Sequence, residues 1–140
     1  MELSTTSFGV HIDVDYMLNK NIPKRLVQYD NVYYYVFNYD EDVLCYNDIE
    51  TRPYRMVILS YPENKLLSYS PPKLMGYNTF VERYPTITPN IQVSEYIKGH
   101  MINLLYDDRC DTWRLIATSN ENKTNIISKF KAALHINDLN

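Results

Sequence analysis

The sequence predicts an α+β domain built mostly of antiparallel hairpins, with a helix near its C-terminal end. Three observations lead there. The run Val32–Phe37 is β-branched or aromatic at every position. Two further pairs of strand-like runs are separated only by short polar turns. Ile126, Ile127, Phe130, Ala133 and Leu134 recur at helical spacing. Strands grouped into hairpins, rather than alternating with helices, make the α+β pattern.

Taken in order, Val14, Met17 and Leu18 can line a short helix, and the nearby carboxylates Asp13 and Asp15 suit its N-terminal cap. Pro23 is read as opening a second helical turn through Leu26 and Val27. The strand Val32–Phe37 comes next, closed by the acidic turn Asp40-Glu41-Asp42. Alternation puts Tyr34 on the opposite face from Tyr33 and Tyr35. Tyr54–Tyr61 reads as a strand, Pro62-Glu63-Asn64 as a turn, and Lys65–Tyr69 as the returning partner. Ser70-Pro71-Pro72-Lys73 must be extended, because proline fixes its own φ and disfavours the α region for the residue before it. Tyr77–Arg83 suits a short helix, and Pro85 and Pro89 prevent its continuation. Ile91–Ile97 and His100–Tyr106 alternate around Lys98-Gly99. Asp107–Asp111 is a polar, solvated loop, and Trp113–Thr118 pairs back. The last helix runs from a Thr124 cap to Ile136, with Lys129 and Lys131 off its apolar stripe.

The length of 140 residues fits one domain, with residues 1–50 acidic and 51–140 mildly basic. The first part carries 3 basic and 9 acidic side chains, a balance of −6; the second carries 11 and 8, a balance of +3. A net charge of −3 argues against general adhesion to nucleic acid, although the second part can face phosphates. Tyrosine and asparagine each occur 14 times, against 3 glycines. Gly9, Gly76 and Gly99 cannot assemble a glycine-rich phosphate loop. Cys45 and Cys110 form no C-x-x-C pair, so reduced thiols in a cytoplasmic compartment are expected. Neither a secretory leader nor an apolar run of membrane-spanning length is apparent.

His11, His100 and His135 are scattered, so no metal site is expected. Asp107, Asp108 and Asp111 lack the ligand alternation of a calcium loop. Serine or cysteine nucleophile motifs are missing, and the acidic surroundings of Cys110 should raise its thiol pKa. Two lysines stand out. Lys73 comes after a rigid Pro-Pro, and Lys98 precedes Gly99 where backbone can approach a ligand. Beside phosphates a lysine serves as counter-charge or nucleophile; on a turn it is simply solvated.

The segment from Thr51 to about Ser128 resembles the covalent nucleotidyltransferases, specifically ATP-dependent RNA ligases of the phage T4 RNA ligase 1 type and relatives in large DNA viruses. The stretches that carry the resemblance are Tyr54–Leu59, Leu67–Lys73, Phe80, Glu95–Tyr106 and Trp113–Ser119. It implies the first part of the RNA ligase and mRNA-capping nucleotidyltransferase fold. In that family a motif lysine attacks the α-phosphate of ATP, and AMP passes to an RNA 5′-phosphate with help from Mg²⁺. By this match Arg55, Tyr96, Gly99 and His100 fall at nucleotide-binding positions, with Lys98 and Lys73 as candidate catalytic lysines.

The departures shape the expectation. With Gly99 on the motif glycine, Tyr96 occupies the lysine position and Lys98 the aspartate position. Tyrosine cannot form the phosphoramide, and Lys98 lies about 6.6 Å further along the strand. The later family motifs would fall beyond Asn140, as for a fragment or a shortened relative. The expected function is a degenerate RNA-ligase-like module, catalytically silent, serving in binding or as a structural component. The alternatives are an active nucleotidyltransferase fragment forming lysyl-AMP with ATP and Mg²⁺, and a virion-associated or other interaction module. Expected partners are RNA or a nucleotide, other proteins or a second copy, and no membrane.

Overall fold

The computed structural model describes residues 11–20, 22–39, 42, 44–45, 47–48, 50–89, 99–117 and 123–135. Its elements are α1 (Val14–Asn19), β1 (Lys24–Tyr29), β2 (Val32–Asn38), β3 (Met56–Tyr61), β4 (Leu66–Tyr69), α2 (Tyr77–Arg83), β5 (Ile102–Asp107), β6 (Thr112–Ala117) and α3 (Lys123–Leu134), with a 3-10 turn over Arg52–Arg55. The α+β class, the antiparallel hairpins and the C-terminal helix match the expectation. Strands β1 to β4 form one antiparallel sheet in chain order, and β5–β6 form a separate hairpin.

The sheet is covered on both faces, which explains why the Met56–Leu59 stretch of β3 is a continuous apolar run rather than an alternating one. On one face Phe37, Val57 and Leu59 pack with Ile12, Met17, Ile22, Leu44 and Tyr54. On the other, Val27, Tyr34, Val36, Met56 and Ile58 meet Leu105 and Ile116 of the β5–β6 hairpin. Helix α1 is only six residues long, so packing rather than propensity holds it. Met17 is fully buried beneath it, and the Asp13 side chain caps it by accepting from the Tyr16 amide at 2.9 Å. The capping role expected of Asp13 is thus observed.

Several elements depart from the sequence reading; α3, for one, already contains Thr124, the residue expected to cap it. Residues 24–29 form strand β1, not a helical turn after Pro23. Residue for residue, Lys24 to Tyr29 pairs with Phe37 to Val32, and burial of Val27 against Tyr34 is available only in that register. The strand expected from Tyr54 starts at Met56, because Pro53 sets up a 3-10 turn that buries Tyr54 against Tyr16, ring centroids 5.3 Å apart. Asp107 ends β5 and is fully buried, instead of opening a solvated loop. The turn at 62–64 is as expected, with Asn64 at φ 57°, a conformation asparagine tolerates. The expected partner strand at 91–97 lies outside the described residues, and β5 pairs with β6.

Candidate functional site

The extended Ser70–Lys73 segment is anchored at both ends by backbone hydrogen bonds: the Ser70 amide donates to the Met56 carbonyl at 2.9 Å, and the Lys73 amide to the Arg52 carbonyl at 3.0 Å. The two prolines stiffen the stretch between. Lys73 is therefore fixed beside Arg52, and its ammonium stands 4.3 Å from the ring centroid of Tyr39. The chain then turns into α2, whose first amide region is tied down by Asn47: its side-chain oxygen accepts from the Gly76 amide at 2.9 Å.

Helix α2 buries none of its residues. Tyr77 and Phe80 of α2, one turn apart, and Tyr84 just past its end line the same groove as Lys73. Tyr77 is 80% exposed, and Phe80 and Tyr84 pack together with centroids 5.2 Å apart. The result is an open groove of about 740 Å³ lined by Arg52, Pro72, Lys73, Leu74, Tyr77 and Tyr84 among others. Its lining combines two cationic side chains with three aromatic rings. Such a combination suits a ligand with a phosphate at one end and a planar base at the other.

A second polar centre joins the sheet to the hairpin. The buried Asp107 carboxylate accepts from the Tyr34 hydroxyl at 2.6 Å, from the Arg109 amide at 2.9 Å, and from Arg109 Nε and Nη2 at 3.0 and 2.8 Å. Arg109 also donates to the Tyr61 carbonyl and to Glu63. The Arg109 hydrogen bonds, against the opposing effect of burial and with help from Tyr34, lower the Asp107 pKa to about 2. Burial, then the hydrogen bond and charge of Asp107, push Tyr34 well above the ordinary phenol range. Nearby, the Arg114 side chain is 4% exposed and donates to Asp30 at 2.7 Å. With every oxygen committed, Asp107 is a structural clamp rather than a base.

The structure scatters the sequence-predicted residues. Lys73 lines the groove. Arg55 is half-buried at the end of the 3-10 turn, where its carbonyl accepts from the Tyr39 amide, and it does not line the groove. Gly99 and His100 are exposed on the approach to β5, and a Cβ on Gly99 would meet nothing within 4 Å. No close contact within the protein thus requires glycine there. Tyr96 and Lys98 lie outside the described residues. Arg52, Tyr77 and Tyr84 were not anticipated, although the aromatic spacing of α2 was a usable signal. Among the described residues no group of three or more His, Cys, Asp or Glu side chains could hold a metal ion. The described residues that line the groove include no Asp or Glu to hold the Mg²⁺ that the resemblance implies; they are cationic, aromatic or apolar. Cys45 and Cys110 are free thiols, and among the described residues no helix is long and apolar enough to cross a membrane. Comparisons with protein-family models, curated proteins and solved structures return no match.

Proposed function

We propose that this chain is an RNA-ligase-like binding module that holds a nucleotide or a phosphorylated RNA end in the α2 groove without carrying out ligation. The observation that carries the reading is the groove itself, which Arg52 and Lys73 line together with Tyr77 and Tyr84. The order of strand-forming segments between Thr51 and Ser128, which resembles the start of the ligase nucleotidyltransferase fold, supports it. The absence of catalysis is inferred from Tyr96 at the position of the family's nucleophilic lysine.

Cations here supply a counter-charge to phosphate, and the rings supply a sequence-tolerant stacking surface. Titration calorimetry with AMP, ATP and a 5′-phosphorylated trinucleotide should show saturable binding. Lys73→Ala and Arg52→Ala should each weaken it about tenfold, in line with ~1.5–3 kcal/mol for a hydrogen bond to a charged group. Tyr77→Ala should cost a similar factor through lost stacking, about 1–3 kcal/mol. Unchanged affinity in all three variants would reject the groove as the site.

A further inference from the structure

One cation of the groove is held at both ends. The Lys73 backbone is fixed by its amide, which donates to the Arg52 carbonyl at 3.0 Å, and by the two prolines before it. Its side chain reaches Tyr39, remote in sequence, whose ring centroid lies 4.3 Å from the ammonium. Lys20 and Lys24 approach Tyr16 and Tyr35 less closely, at 5.4 and 4.9 Å. Tyr39 is not among the described residues that line the groove, so its connection to the groove runs through Lys73.

The ring is itself anchored. Tyr39 directly follows β2, and its amide donates to the Arg55 carbonyl at 2.9 Å. Its hydroxyl donates to the Leu44 carbonyl at 2.9 Å, and its half-buried side chain packs against the cluster that holds Phe37, Leu44 and Tyr54. The rigid partner is therefore the ring and the adjustable one is the lysine stem. Two properties of an aromatic partner suit a cation that must meet a phosphate. A ring attracts an ammonium through its quadrupole and carries no net charge, so the charge of Lys73 is not cancelled as a carboxylate would cancel it. The contact also restricts a flexible four-carbon stem, and ordering such a stem only when the ligand arrives costs affinity.

We infer, on the reading of the groove as the nucleotide site, that Tyr39 is a positioning residue whose ring holds the Lys73 ammonium where it meets the ligand's phosphate. Tyr39 acts through Lys73 and not by touching the ligand. Its two side-chain contacts are separable, because the ring serves Lys73 and the hydroxyl serves the Leu44 carbonyl.

Titration calorimetry with AMP, on Tyr39 variants alone and combined with Lys73→Ala, tests it. Tyr39→Leu keeps apolar bulk without the ring and should weaken AMP binding about three- to tenfold. Tyr39→Phe keeps the ring, loses only the hydroxyl bond, and should rescue the affinity. In a Lys73→Ala background Tyr39→Leu should have no further effect, since the cation it positions is gone. Circular dichroism checks that each variant is folded. Pentafluorophenylalanine at position 39 keeps the ring's shape and reverses its quadrupole, so it reads the same contact without disturbing the packing. It should weaken AMP binding at least as much as Tyr39→Leu. Lys73→Ala alone separates the two possible failures. Unchanged affinity in that variant rejects the groove reading. Weakened affinity there, with wild-type binding by the fluorinated protein or by folded Tyr39→Leu, rejects the role of Tyr39 and leaves the groove. Tighter binding by Tyr39→Leu would also overturn it, because the ring would then be drawing Lys73 away from the ligand. So would an equal loss in Tyr39→Phe, or a loss from Tyr39→Leu that persists in the Lys73→Ala background.

Discussion

Asp107→Ala should cost about 3–5 kcal/mol of folding stability, the range for breaking a buried ion pair by removing one partner. The substitution takes the acceptor from the buried Tyr34 hydroxyl and the nearest anion from Arg109, which keeps only Glu63 and backbone carbonyls. Typical domains are stable by only about 5–15 kcal/mol, so the variant should be close to unfolding and melt roughly 10 °C lower. Asp107→Asn keeps the shape and part of the hydrogen bonding, and should fall between the two. The same residue contributes to the loss of stability in acid. Its pKa is about 2 in the folded protein, against an ordinary value of 3.8. A depressed carboxylate stabilises the fold above its unfolded pKa, and that contribution is lost as pH falls from about 4 through about 2. The difference amounts to about 2 kcal/mol, and Asp107→Asn should be correspondingly less sensitive to acid over that window. Urea unfolding at pH 7 and pH 2.5 measures both effects. Equal stability of Asp107→Ala and wild type at pH 7 would show that the clamp contributes nothing.

Ile58→Ala should be nearly as damaging, at about 2–5 kcal/mol. Ile58 is fully buried on an inner strand, between Val36 and Met56 on its own sheet and Leu105 and Ile116 on the hairpin. Its neighbours on both layers are held by strand hydrogen bonds, so the cavity cannot collapse easily. The loss should appear at neutral pH and change little with acid, which separates it from Asp107→Ala. Leu26→Ala, at an exposed position on the outer strand β1, should by contrast lie within about 0.5 kcal/mol of wild type.

Where packing and local signals agree, the sequence was informative. The β2 run, the β3–β4 hairpin, α2 and α3 were all readable from pattern, because aromatic and β-branched runs, turn chemistry and helical spacing pointed the same way. β1 was not, since Leu26 and Val27 fit a helical turn as well as a strand, and only pairing with β2 decides between them. Asp107 was hidden among Asp108 and Asp111. Its one signal was the inward alternation Asn103, Leu105, Asp107, which carries a polar residue into the interior twice and so resembles no ordinary apolar strand. For the groove, Lys73 was legible because Pro-Pro fixes the backbone before it. Arg52 was not, because its place beside Lys73 depends on a long-range backbone hydrogen bond that no local pattern announces.

The central claim, a nucleotide-holding module that does not transfer the nucleotide to itself, is tested most directly by incubating the protein with ATP labelled at the α-phosphate and Mg²⁺. Filter binding before denaturation should retain label that Lys73→Ala diminishes, and denaturing electrophoresis should show no labelled protein. A labelled band that survives denaturation and disappears in Lys73→Ala or Lys98→Ala would contradict the account and make the chain a nucleotidyltransferase.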